Sequence, residues 1–310
     1  MDFELSSDQV DLQEGVRKLC EGRFPMETVR GLEASDGVDR GLWNELADAG
    51  VFTLRVPEAD GGVGLGCAEA VLVFEELGRA CVPGPLVGAA LTGSNDVVGV
   101  VERVDGPIVI DYLDALDRLL VVDDNSVSEV EPTSVDATRV AHPLDPLTPV
   151  WVADALPAGA PVDLDPAVLR RDGAVLTAAI QLGLSEAVLD LAVAYAKQRE
   201  QFDRPIGSFQ AVKHMLADML VRTEVARAAV YAAAVTIDDP SVGDALRAAS
   251  AAKVTAGEAA TKNGKVAIQV HGGMGFTWEV DAHLYLKRAW VLDTAFGSPD
   301  FHSEYLAATL

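Results

Sequence analysis

Two segments in the C-terminal half of the chain carry side chains suited to holding a phosphorylated ligand. In the first, Arg199 stands near the end of a predicted helix, Phe202 follows in a tight turn, and Gln210 closes the segment. A guanidinium offers a planar fork of donors that matches a pyrophosphate, and Phe202 offers a wall for an aromatic ring system. Taken alone, these residues favour an ordinary surface arginine beside a core phenylalanine.

The second segment runs through Gln269, Val270, His271, Gly272 and Gly273. Glycines here end the preceding helix, because glycine adopts a positive φ at little cost. They also leave bare backbone on which a ligand can lie. By itself the pattern is typical of a helix cap, so its meaning depends on the arginine segment.

Other candidate sites are weaker. Glu279 and His283 lie one helical turn apart, but without a third ligand they indicate a solvated pair, and no metal site is predicted. The Gly-Gly-x-Gly run at residues 61–64 lacks the preceding strand and the following Lys-Ser/Thr of a phosphate loop, which favours a turn between helices.

The spacing of apolar residues predicts a mainly helical framework for these segments. Residues 1–85 are predicted to form an N-terminal helical domain, residues 86–166 a truncated middle β-region, and residues 167–310 an antiparallel four-helix bundle. The β-type runs are residues 108–110, 119–122 and 150–152, with a hairpin turn at 123–126. The later helices of the bundle are predicted over about 209–237, 244–271 and 281–296.

Composition narrows the class of partner and the compartment. The net charge is −24, with most of the acidic excess in residues 1–172, so nucleic acid and anionic membranes are poor partners. No apolar run reaches the length of a membrane span. Cys20, Cys67 and Cys81 lack metal or redox spacing and are predicted to be buried, reduced thiols. Together with a start that lacks secretory-signal features, they predict a cytoplasmic protein.

The two C-terminal segments, about sixty residues apart, resemble the signatures of the acyl-CoA dehydrogenase family of flavoenzymes. Residues 42–50, 56–64 and 75–79 are similar to that family's N-terminal helical domain. The resemblance covers some three quarters of the chain and implies the same order of helical domain, β-domain and four-helix bundle. In the family an acyl-CoA thioester loses its α-proton to a glutamate while the β-hydride passes to FAD.

The cofactor-binding residues of the family have counterparts in this chain, but its catalytic base does not. It implies that Arg199, Gln210 and the run Gln269–Gly273 hold the ADP half of an FAD bound by the neighbouring subunit. The family's usual base position corresponds to Gly297, and the alternative base position on the first bundle helix to Gly173. The stretches that cradle the flavin ring are missing from the middle region, which is also several dozen residues too short.

Two carboxylates lie close to these empty base positions. Asp172 is adjacent to Gly173 and is a weak surrogate base, because a shorter side chain on a different helical face replaces glutamate poorly. Asp293 lies one turn before Gly297, where a core or capping role is favoured.

The pattern of kept and lost residues indicates a helper subunit. The resemblance is to the shorter, base-lacking subunit of actinobacterial α2β2 acyl-CoA dehydrogenases of sterol side-chain degradation. It implies a longer partner subunit with the catalytic glutamate, a shared FAD, and an acyl-CoA substrate of the steroid side-chain type. Two alternatives stay open: a self-sufficient homo-oligomeric dehydrogenase that uses Asp172, and a non-enzymatic scaffold of the same fold.

Overall fold

The computed structural model describes residues 5–309, and the fold is mainly helical with a small β-region. Residues 1–4, on which the prediction about a leader partly rests, lie outside the described residues. The helices are α1 (Ser7–Arg23), α2 (Met26–Gly31), α3 (Arg40–Asp48), α4 (Cys67–Arg79), α5 (Leu86–Thr92), α6 (Pro166–Gln198), α7 (Gln210–Asp238), α8 (Ala245–His271), α9 (Ala282–Leu292) and α10 (Pro299–Ala308). The strands are β1 (Val98–Glu102), β2 (Ile108–Asp111), β3 (Arg118–Val122), β4 (Val127–Val130), β5 (Thr138–Arg139), β6 (Val150–Ala153), β7 (Ala160–Val162), β8 (Glu200–Gln201) and β9 (Arg204–Pro205).

The chain forms two compact units. One contains the residues up to Gly22, residues Val71–Cys81 and residues Ala174–Leu310, and the other contains residues Arg23–Ala70 and Val82–Gly173.

The helices of the first unit pack through small residues. α7 and α8 bury rows of alanine against the unit's interior, which lets helix backbones approach closely. The closest approach is between α4 and α6, where a Cβ added at Gly183 would lie 1.9 Å from the carbonyl oxygen of Glu75, and one added at Gly78 would lie 2.1 Å from that of Ile180. Glycine is therefore required on both helices at this crossing.

The second unit contains the β-region. One sheet has the order β1-β3-β4-β7, in which β1 and β3 are parallel and the other pairs are antiparallel. A second sheet has the order β2-β6-β5. β3 and β4 are joined by residues 123–126, so the predicted hairpin and the strands around 108–110, 119–122 and 150–152 are all found.

One predicted helix boundary differs from the structure. The last predicted helix of the bundle ends at Leu292 instead of about residue 296, and α10 follows it after a turn. α6 is long and apolar enough to cross a membrane by length and composition, but 83% of its most apolar window is buried within the protein, as expected of a core helix. The three cysteines are buried and form no disulfide, as predicted.

Candidate functional site

The arginine segment forms a tight hairpin at the C-terminal end of α6. β8 and β9 pair around Phe202 and Asp203, which both have positive φ angles, 55° and 60°. Such angles in two successive residues are those of a type I′ hairpin turn, and in non-glycine residues they cost free energy. The hairpin is tied back to the helix, since the backbone N–H of Ile206 donates to the carbonyl oxygen of Arg199 at 2.7 Å.

The glycine segment lies against this hairpin's helix. The ring of Tyr195, one turn before Arg199, stacks on the ring of His271 with centroids 4.2 Å apart. Nδ1 of His271 lies 2.7 Å from the carbonyl oxygen of Ala267 and donates to it. The side chains of Val270 and His271 are buried, so of the predicted cofactor residues these two face the interior of the unit. The structure thus brings the two sequence segments into contact.

The remaining cofactor candidates leave polar groups open to solvent. Arg199, Gln210 and Gln269 are exposed, and their side chains have no hydrogen-bond partner within residues 5–309. A Cβ added at Gly272 or Gly273 would meet no atom within 4 Å. We call these five residues the donor face. A guanidinium, two amides and accessible backbone suit the pyrophosphate and adenosine of a dinucleotide, so the residues present fit the ADP half of FAD.

Phe202 is a surface residue and not a core phenylalanine. Its side chain is 86% exposed, and its ring meets only the edge of Phe209, at 6.1 Å between centroids, among the ring contacts of the described chain. The guanidinium carbon of Arg204 lies 4.1 Å from the Phe209 ring centroid. An exposed aromatic ring beside an open arginine is typical of a surface that a ligand or partner covers.

Gly297 stands at the position that the resemblance gives for the catalytic base, and local packing leaves no room for a side chain there. Gly297 has a φ of +106°, and a Cβ there would lie 2.6 Å from Nε2 of His302. The buried His302 ring bridges this turn, with Nε2 donating to the carbonyl oxygen of Phe296 and Nδ1 accepting from Ser250, both at 3.0 Å. Burial lowers the pKa of His302, which keeps the ring neutral.

Asp172 is buried at the start of α6 and is held by two arginines. Its Oδ1 accepts a hydrogen bond from Nε of Arg171 at 2.8 Å and lies 2.7 Å from Nη2 of the same guanidinium, and its Oδ2 forms an ion pair with Nη2 of Arg55 at 2.8 Å. Both oxygens are therefore engaged. The adjacent Gly173 is also buried and offers no side-chain group for proton abstraction.

Asp172 also lines a cavity of about 340 Å³ within the second unit. The walls are mainly apolar and come from the loop at residues 55–57, the end of α5 and the start of α6. Arg55 shares this lining, and its pairing with Asp172 was missed by sequence reasoning because 117 positions separate the two residues.

The weaker candidates make structural contacts. The ring of His283 packs edge-on against Trp278 at 4.6 Å, and no group of three potential metal ligands occurs within residues 5–309. A Cβ at Gly257 would lie 2.6 Å from Oδ1 of Asp293. Burial raises the pKa of Asp293, which is opposed by the ammonium of Lys253.

Two family models match this chain. Residues 171–310 match the family described as acyl-CoA dehydrogenase, C-terminal domain, and residues 6–99 match acyl-CoA dehydrogenase, N-terminal domain.

Individual relatives cover nearly the whole chain. The protein is 34% identical over 318 residues to acyl-CoA dehydrogenase IpdE2 of Mycolicibacterium smegmatis, covering 95% of this chain and 96% of that one. It is similar to a chain of the ChsE4-ChsE5 complex from Mycobacterium tuberculosis, with 26% identity, a TM-score of 0.82, and coverage of 99% and 98%. A chain of the Tcur3481-Tcur3483 steroid ACAD G363A variant shares the fold, with 23% identity, a TM-score of 0.82 and coverage of 97% of each chain.

Proposed function

This chain belongs to the acyl-CoA dehydrogenase family, and we propose that it acts there as a non-catalytic subunit that completes the FAD site of a longer, catalytic partner. The assembly is an α2β2 heterotetramer that dehydrogenates an acyl-CoA thioester. Steroid side-chain thioesters are the substrate class we propose, on the resemblance of the sequence to subunits of that kind.

The observation that carries this proposal is the open donor face. Three exposed polar side chains and two glycines with open space around them belong to two segments that the stacked rings of Tyr195 and His271 bring together. Arg199 would hold the pyrophosphate, while Gln210, Gln269 and the backbone at Gly272 and Gly273 would hold the adenosine side. The exposed ring of Phe202 supports contact with a partner at the same place.

The closed turn at Gly297 supports a division of labour between subunits. A side chain at that position would collide with His302, so this chain offers no carboxylate there to take the α-proton. The base is therefore proposed to come from the partner. FAD, when bound, supplies the hydride acceptor, and the role of this chain is to orient and retain the cofactor.

Flavin content tests the proposal directly. The chain would be expressed alone and, one at a time, with the longer acyl-CoA dehydrogenase-like chains of its genome, and the visible flavin spectrum would be recorded with protein quantitation. We expect a colourless chain alone and a yellow complex with one flavin per pair of unlike chains. Stoichiometric FAD on the chain alone would contradict the proposal.

Variants of the donor face separate cofactor binding from folding. Gly273→Val places its side chain in open space, so it should block the ligand without loss of stability. Arg199→Ala should likewise deplete flavin. The matched controls are Gly15→Val, which also has open space, and Arg247→Ala on an exposed part of α8. Unchanged flavin in both donor-face variants would favour the scaffold alternative.

A self-sufficient dehydrogenase is a second candidate, favoured by one observation. Asp172 lies at the wall of the 340 Å³ cavity, where an acyl group would meet a carboxylate. On this hypothesis Asp172→Asn abolishes turnover and leaves flavin bound. On the helper-subunit proposal the same variant keeps the activity of the complex, so turnover per bound flavin distinguishes the two.

A further inference from the structure

Three polar side chains follow one face of α6 inside the first unit. They are Thr177, Gln181 and Ser185, which we call the α6 seam, and all three are fully buried. Spacings of four residues place them on a single side of the helix. Polar groups at this depth are almost always hydrogen-bonded, because the surrounding protein replaces the water that would otherwise bond them. Each member of the seam therefore needs a partner.

One end of the α6 seam is bonded directly by neighbouring helices. Oγ of Ser185 lies 2.8 Å from Oγ1 of Thr223 on α7. Nδ2 of Asn263, on α8, donates to these two hydroxyl oxygens at 2.8 and 3.0 Å. Side chains of the protein thus satisfy Ser185 without any further group.

The other end of the α6 seam has no such bonds. Oγ1 of Thr177 and both amide atoms of Gln181 are buried and make no hydrogen bond within residues 5–309. A carboxylate from another element comes close to this amide. A Cβ at Gly257, on α8, would lie 2.6 Å from Oδ1 of Asp293 and 3.4 Å from Nε2 of Gln181, so these two polar atoms are at most about 6 Å apart. One water molecule spans a gap of this size, since it bonds at about 2.9 Å on each side.

We propose that a buried water molecule occupies this end of the α6 seam and bridges the Gln181 amide to the Asp293 carboxylate. Water fits both ends, because it accepts from the amide nitrogen and donates to the carboxylate. A cation is a poor occupant, since the buried ammonium of Lys253 donates to the carbonyl oxygen of Asp293 at 2.9 Å and would repel it. An apolar molecule would leave Thr177 and Gln181 unpaired.

The bridge makes Asp293 a positioning residue. Asp293 directly follows the last residue of α9, Leu292, and lies four residues before Gly297. A bond through water to α6 fixes its carboxylate, and with it the start of the turn that leads to Gly297. The bare Cα of Gly257 leaves room where the two polar groups meet, so a methyl group there would compete with the water.

Crystallography tests the site directly. In crystals of the full chain that diffract well enough to show ordered water, we expect a peak within about 3.2 Å of both the Gln181 amide and an Asp293 carboxylate oxygen. The peak should disappear in Gly257→Ala. An empty site, a direct hydrogen bond between Gln181 and Asp293, or a peak that gains anomalous signal after a rubidium chloride soak would overturn the inference.

Urea denaturation at pH 7 provides a second test. Gln181→Met replaces the amide by an apolar side chain of similar length, and it should raise the equilibrium constant for unfolding about tenfold because the bridge loses one end. Gln198→Met, on an exposed part of the same helix, is the matched control and should have little effect. If the site were dry, Gln181→Met would remove an unpaired buried amide. An equilibrium constant that is unchanged or lower would therefore overturn the inference.

Variants of Asp293 test the other end of the bridge. Asp293→Asn keeps a group that bonds water and should stay within about twofold of the wild-type equilibrium constant, whereas Asp293→Leu should raise it about tenfold. Combining Asp293→Leu with Gln181→Met should add little, because either variant alone breaks the bridge. Fully additive effects would contradict a shared water. None of these measurements depends on flavin, so their outcome is separate from that of the proposed function.

Discussion

A Cβ atom at Gly297 would lie 2.6 Å from Nε2 of His302. The imidazole is itself fixed by Phe296 and Ser250, and the φ of +106° suits glycine alone. This position therefore lacks a base for a structural reason as well as a chemical one. The surrounding turn accommodates only a residue without a side chain.

Restoring the glutamate should consequently not restore catalysis. Gly297→Glu is expected to lower the free energy of unfolding by about 2 kcal/mol, since it adds backbone strain and a collision with His302. Urea denaturation measures the loss, and turnover of the purified chain with acyl-CoA and FAD should stay at background. The double variant Gly297→Glu, His302→Ala should recover part of the stability; dehydrogenase activity in either variant would contradict this account.

The crossing of α4 and α6 should be intolerant of any side chain at Gly183. Because a Cβ there would lie 1.9 Å from the carbonyl oxygen of Glu75, Gly183→Ala must push two backbones apart. We expect a loss of about 3 kcal/mol, at the upper end for overpacking. Gly15→Ala in α1, where a Cβ meets nothing within 4 Å, should instead stabilise the protein by about 0.5–1 kcal/mol. Equal effects at the two positions would show that the helices do not approach so closely.

Local signals in the sequence account for the elements that were predicted. The hairpin between β3 and β4 follows from a polar turn between two apolar runs, and α8 begins after Asp244, whose carboxylate caps the N–H of Arg247. α10 also has a local signal that was overlooked, because Ser298 caps it and Pro299 begins it.

Contacts between distant residues account for what could not be predicted. α9 ends earlier than predicted, at Leu292. The ammonium of Lys253, which lies about forty residues away on α8, donates to the carbonyl oxygens at this helix end, and no local sequence pattern indicates that contact. The arginine pair around Asp172 similarly depends on Arg55, far away along the chain. The residue types of the donor face could be read from the sequence, but the burial of Val270 and His271, which follow Gln269, could be seen only in the fold.

The stability of the protein should fall between pH 4.5 and 7 because of Glu75. Burial raises the pKa of Glu75 to about 7, against the opposing effects of Arg227 and of the Tyr231 hydroxyl, which donates to Oε2 at 2.7 Å. Between these two pH values the folded state binds a proton that the unfolded state has released. The stabilisation that comes from protonated Glu75 is therefore complete below the pKa of the unfolded chain and is lost as the pH rises through about 7.

Glu75→Gln isolates this effect. Urea denaturation gives the unfolding free energy of the wild type minus that of the variant. This difference should fall by about 3 kcal/mol as the pH rises across that range. Glu69→Gln on the same helix is the control, and it should show no comparable trend. A difference that is constant with pH would mean that Glu75 remains ionised beside Arg227 throughout.

Lys253 should show the opposite dependence at higher pH. Its side chain is buried, and its ammonium donates to the carbonyl oxygens of Leu292 at 3.0 Å and Asp293 at 2.9 Å, which caps α9. Lys253→Met leaves these carbonyls without their donor and should cost about 2 kcal/mol at pH 7. Lys265→Met, on an exposed part of the same helix, should cost less than about 0.5 kcal/mol.

The sign of the pH effect follows from the direction of the shift. Burial lowers the pKa of Lys253 to about 8, so between that pH and the usual value near 10.5 the unfolded state binds the extra proton. The free energy of unfolding should therefore rise with pH in wild type relative to Lys253→Met over this interval. A falling difference would indicate that the ammonium stays charged in the fold, and that the carbonyls at the end of α9, rather than burial, set its proton affinity.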